Sequence, residues 1–157
     1  MKQPLAVILM ILSFGILGAG AQAGKLSKYS ELEVVMENTR NERGQKLPDE
    51  LIAPLKENVI HAIGYLHLFS RIGDITDESV AAPAAHRALV LKVKITGYSG
   101  AQNNASVSSQ LSFTDQATGQ PVFQESVRAK LYYDSGSTQA SLAKLAKSIA
   151  GKVRDNW

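Results

Sequence analysis

The chain has 157 residues, one domain's worth, with 17 basic and 14 acidic side chains and a net charge of +3. So small an excess, with no dense basic stripe on any predicted helix, speaks against nucleic-acid binding. Cysteine is absent, which excludes disulfides, thiolate metal sites, a thiol nucleophile and a lipid-bearing cysteine.

Residues 1–23 read as a signal peptide. Lys2 supplies the positive n-region, and Leu5 to Leu17 is apolar except for Ser13 and Gly15. Ala21-Gln22-Ala23 has the small-x-small form of a signal-peptidase site, which places cleavage between Ala23 and Gly24. A retained anchor is the alternative, but the apolar run is short of the roughly 20 residues a span needs. Residues 24–157 then form a single periplasmic or secreted domain with no transmembrane anchor. Loss of Lys2 leaves 16 basic against 14 acidic residues.

Tyr29 to Glu37 predicts a first strand, with Leu32, Val34 and Met36 on one side. Asn38 to Lys46 is polar, charged and aperiodic, and reads as an exposed loop. Leu47 to Leu66 predicts a helix, because Leu51, Leu55, Val59 and Ile63 recur every four residues. Pro54 lacks the N–H that would bond to the carbonyl of Glu50, so the helix kinks there or begins there. Gly64 is the expected stop. Leu66 to Ile72 alternates and predicts a second strand, parallel to the first through a crossover. Gly73 to Ala85 is a long loop.

Arg87 to Tyr133 reads as a three-strand antiparallel meander. Leu89, Leu91, Val93 and Ile95 alternate with Lys92, Lys94 and Thr96 in its first strand. Val107, Leu111 and Phe113 alternate with Ser106, Ser108, Gln110 and Ser112 in its second, and Phe123, Val127, Ala129, Leu131 and Tyr133 with Gln124, Ser126, Arg128 and Lys130 in its third. One face of such a sheet is apolar and one is wet. Gly97 to Asn104 and Asp115 to Gln120 are the two turns; in the second, Asp115 suits backbone N–H groups and Gly119 a positive φ. A closing helix begins at Ser137 or Thr138, with Leu142, Leu145, Ala146, Ile149 and Val153 as its buried stripe. The expected fold is a two-layer α+β sandwich of order β-α-β-β-β-β-α, a mixed five-stranded sheet with both helices on its apolar face.

This order, together with Leu111-Ser-Phe-Thr-Asp115-Gln-Ala-Thr-Gly119-Gln-Pro-Val122, resembles a bacterial envelope family of unknown function, many of whose members are lipoproteins. The resemblance runs from about Tyr29 to Val153, and the chain departs from it by lacking the lipid cysteine. It implies an envelope location and a compact domain of helices and strands, and it implies no catalytic residues.

The residues themselves offer little chemistry. His61, His67 and His86 include no pair at the i, i+4 spacing of a helical zinc site, and no cofactor motif is present. Asp74, Asp77 and Glu78 lack the glycine and glutamate of a calcium loop, and read as a solvated loop. Ser106, Ser108, Ser109 and Ser112 have no nucleophile elbow and read as the wet face of a strand. Gly97 and Gly100 precede no phosphate-loop lysine. Asn104-Ala105-Ser106 matches a glycosylation sequon, relevant only to a eukaryotic secretory route.

One surface feature stands out. Pairing about the Asp115–Gln120 turn sets Ser108 near Arg128 and Ser106 near Lys130, and Lys92 and Lys94 share their face. These six residues form a basic, hydroxyl-rich patch suited to an anionic partner, or simply a soluble sheet face. The leading expectation is a non-enzymatic envelope accessory protein that binds an envelope protein or an anionic envelope surface. A small hydrolase or ligand-binding enzyme with a site near residues 73–85 is one alternative. An assembly subunit docking through a sheet edge is the other.

Overall fold

The computed structural model describes residues 25–74, 87–101, 104–131 and 137–157. Residues 1–23, where a signal peptide is expected, most of the 73–85 loop, His86 and Tyr133 lie outside the described residues. The elements are β1 (Glu31–Asn38), a 3-10 turn (Asp49–Leu51), α1 (Ile52–Gly64), β2 (Arg71–Gly73), β3 (Ala88–Ala101), β4 (Asn104–Asp115), β5 (Pro121–Leu131) and α2 (Ser137–Asp155). They form a five-stranded mixed sheet in the order β2-β1-β3-β4-β5. β1 runs parallel to both β2 and β3, and β3, β4 and β5 are antiparallel. The expected α+β architecture and element order are those of the structure.

Alternation explains which face is covered. Leu32 and Val34 of β1, Leu89, Leu91, Val93 and Ile95 of β3, and Val107, Leu111 and Phe113 of β4 are all fully buried. The covering layer is α1, through Leu55, Val59 and Ile63, and α2, through Leu142, Leu145, Ala146, Ile149 and Val153. The helices pack on each other, α1 against β1 and α2 against β5. Phe113 stacks on Phe123 across β4 and β5, with ring centroids 4.1 Å apart.

Three predicted boundaries shift, each for a local reason. The first helix does not begin at Leu47: α1 starts at Ile52, so Pro54 falls in its first turn, where a missing N–H leaves no bond unmade. Leu47 is instead a buried loop residue whose carbonyl accepts from the Asn38 side chain at 2.8 Å. The second strand is only Arg71–Gly73, not Leu66–Ile72. His67 takes φ 52°, a left-handed turn conformation, and the alternating leucines beside it pack against the core from a turn. The predicted Gly97–Asn104 turn is largely strand, because β3 continues to Ala101 opposite Asn104. A bulge between Ile95 and Gly97 inverts the alternation, so Tyr98 rather than Gly97 pairs with inward-facing Val107. Gly97 relieves crowding there, since a Cβ would lie 3.3 Å from the Ser108 Cβ, a tight contact.

A fourth correction concerns the serine row. Ser109 is not on the wet face; it points into the core, is 2% exposed, and its hydroxyl has no partner among the described residues. Burying an unpaired hydroxyl is unfavourable. Ser109→Ala is therefore expected to raise the unfolding free energy by up to about 1 kcal/mol in urea titration. A loss of similar size would mean that the hydroxyl is bonded in the folded protein.

Candidate functional site

The outer face carries the basic residues that alternation predicts. The β4–β5 register sets Ser108 opposite Arg128 and Ser106 opposite Lys130. Lys92 and Lys94 lie further along, opposite Ser112 and Gln110. Their neighbour in β1 is Glu37, whose carboxylate is 3.1 Å from the Lys94 ammonium and 3.6 Å from that of Lys92. The hydrogen bond from Lys94 holds the Glu37 carboxyl below its ordinary pKa. The four cations thus divide into two pairs. Lys92 and Lys94 share an acid that sequence spacing did not bring to notice. Arg128 and Lys130 are exposed on β5 and form no ion pair among the described residues.

β5 is also an edge. It has β4 on one side and no strand on the other among the described residues, and it is 11 residues long against 3 for the opposite edge, β2. Its inner face is occupied by α2, with Lys152 bonded to Glu125 at 3.2 Å. Pro121 opens the strand, a position where a proline removes no ladder bond.

A second polar cluster lies at the end of the sheet where β4 turns into β5. Asp115 is buried, and its carboxylate accepts four hydrogen bonds. Oδ1 takes the backbone N–H groups of Ala117 and Thr118, each at 3.1 Å. Oδ2 takes the Tyr29 hydroxyl at 3.0 Å and Arg87 Nη2 at 2.9 Å. Burial alone would raise the Asp115 pKa; the bonds from Thr118, Tyr29 and Arg87 outweigh it, and the carboxyl titrates below its usual range. Burial, reinforced by the bond to that carboxylate, pushes the Tyr29 phenol up to about 12. Sequence reading found the turn half of this cluster. It missed Tyr29 and Arg87, which lie 86 and 28 residues from Asp115.

The histidines do not converge. His61 is exposed on α1 with its ring edge against Tyr65, centroids 4.7 Å apart, and His67 lies in the turn that follows. Among the described residues no three histidine or acidic side chains are grouped closely enough to hold a metal ion. Asp74, the one acid of the long loop that is described, is bonded to Lys56 at 2.6 Å. Among the described residues no helix is long and apolar enough to cross a membrane.

No protein-family model matches the sequence, and no curated protein matches it either. Solved structures do share the fold. A leucine-to-methionine variant of PelC from Paraburkholderia phytofirmans, crystallised as a dodecamer, superposes with a TM-score of 0.53 at 17% identity, over 87% of this chain and 92% of that one. A second crystal form of the PelC dodecamer gives 0.50 at 14% identity, over 82% and 92%. A minor lipoprotein from Acinetobacter baumannii aligns at 12% identity over 82% and 94%, with a TM-score of 0.47.

Proposed function

We propose that this chain is a non-enzymatic component of the bacterial envelope that works by association, assembling with copies of itself through the β5 edge. The observation that carries the reading is the likeness of fold to a dodecameric protein, which extends over nine-tenths of that protein and most of this chain. The edge supports it physically. Alternate residues of the 11-residue β5 turn their backbone groups away from β4, toward a neighbour, while Pro121, Arg128 and Lys130 discourage indiscriminate pairing. A contact between unlike surfaces of successive copies closes into a ring when its rotation permits. The signal peptide read from residues 1–23 would deliver the chain to the periplasm, where such an assembly forms.

Light scattering and native mass spectrometry of the exported, processed protein test this reading. The expected result is a discrete multiple of the protomer mass, displaced toward the monomer when Arg128 and Lys130 are both replaced by glutamate. A parent protein that stays monomeric at every concentration reached would overturn it.

A further inference from the structure

The Asp115 cluster forms the floor of a hollow of about 450 Å³ between the Lys25–Ser30 segment and the β4–β5 turn. Its walls carry three cations, Lys25, Lys28 and Arg87, and one acid, Asp115 itself. That acid is already saturated, with four donors on its two oxygens. Lys25 and Lys28 form no ion pair among the described residues. The hollow therefore holds positive charge that the described residues do not neutralise.

Arg87 is placed rather than free. Its Nη2 bonds Asp115 at 2.9 Å, and its guanidinium lies over the Tyr29 ring, 5.5 Å from the centroid. Nε and Nη1 have no partner among the described residues and remain as donors. A guanidinium fixed by one carboxylate binds a second oxyanion with little further loss of rotamer freedom. Lys28 stands over the same ring at 5.3 Å, so two cations are gathered on one aromatic group. Both line the hollow, where an anion would be attracted by each. Thr118 and Gln120 add a hydroxyl and an amide to the walls, and the volume suits a small molecule.

We propose that this hollow binds a small hydrophilic molecule through an oxyanion, a phosphate or a carboxylate, held by Arg87, Lys28 and Lys25. Arg87 supplies directed donors, the lysines supply charge, and Thr118 and Gln120 meet the hydroxyls of a sugar-sized body. The site does not depend on assembly through β5, and its test reads binding rather than mass.

Amide chemical shifts of the processed protein, followed by NMR during titration, test it. The probes are inorganic phosphate, glucose 6-phosphate, glucuronate and, as the uncharged control, glucose. Phosphate or glucuronate is expected to move the amides of Lys28, Tyr29, Arg87, Thr118 and Gln120, and glucose to leave them in place. Whichever anion binds identifies the source of the oxyanion. The double substitution Lys25→Gln, Lys28→Gln is expected to weaken binding about tenfold, as charge-assisted contacts are lost. The pair Lys144→Gln, Lys147→Gln, on the exposed side of α2, should leave it unchanged. Absence of shifts with every anion, full binding by the Lys25/Lys28 variant, or equal weakening by both variants would overturn the site.

Discussion

Asp115→Ala is expected to lower the unfolding free energy by about 3 kcal/mol, a large share of the roughly 5–15 kcal/mol typical of a domain. The loss has separable parts. The Tyr29 hydroxyl is left buried without an acceptor, and the N–H groups of Ala117 and Thr118 lose theirs. Arg87 contributes less, since its side chain is 47% exposed and water replaces the lost carboxylate. Asp115→Asn keeps an acceptor for the turn and should cost less than half as much. The pH dependence distinguishes a charge from a shape effect. Because the folded carboxyl titrates below its ordinary value, its contribution is present above about pH 3.9 and is lost as pH falls through the folded pKa. Tyr29 acts at the other end. Its phenol is raised from 10.0 to about 12, so its contribution is full below pH 10 and fades as pH climbs toward 12. Urea midpoints across pH should show Asp115→Asn losing less stability in acid than the parent, and Tyr29→Phe losing less in alkali. Parallel curves for parent and variants would mean that the cluster does not titrate in this way.

What the sequence made legible is what period and turn chemistry encode. Two-residue alternation placed Leu89 to Ile95 and Val107 to Phe113 on the covered face. The Asp115–Gly119 turn fixed the β4–β5 register closely enough to set Ser108 opposite Arg128. Failures came where the chain changes parity or hand. The bulge before Gly97 exchanges inward and outward positions without a change in composition. His67 enters the left-handed region with no glycine or asparagine to announce it. Contacts between distant segments were illegible for another reason. Nothing local to Tyr29 indicates a partner 86 residues away, and nothing in Lys92 or Lys94 points to Glu37 in a parallel neighbour. The covering layer was visible because helix stripes are local; the hollow beside Asp115 was not, because it exists only once the N-terminal segment crosses the turn.

Leu145→Ala and Ile149→Ala in α2 are each expected to cost about 2–5 kcal/mol, the range for cavities left by large-to-small changes in a packed core. Both side chains are fully buried, and they lie four residues apart on the stripe that carries Leu142, Ala146 and Val153. The cavity would open where α2 packs on α1 and β5, a rigid sheet on one side and a helix on the other, so collapse is limited. The less drastic Ile149→Val should cost about 0.5–1.5 kcal/mol. Lys144→Ala, on the exposed side of the same helix, should stay within about 0.5 kcal/mol. Urea unfolding with an unchanged m-value would assign the losses to the native packing rather than to the denatured chain. The consequence reaches the association proposed above. α2 backs β5 along its inner face, and an edge strand that loses its backing presents its hydrogen-bonding groups less steadily to a neighbour. Variants at Leu145 and Ile149 should therefore dissociate at lower dilution than the parent, in proportion to their loss of stability, while Lys144→Ala associates as the parent does. Unchanged midpoints for both alanine variants would show that α2 is not packed on the sheet as described.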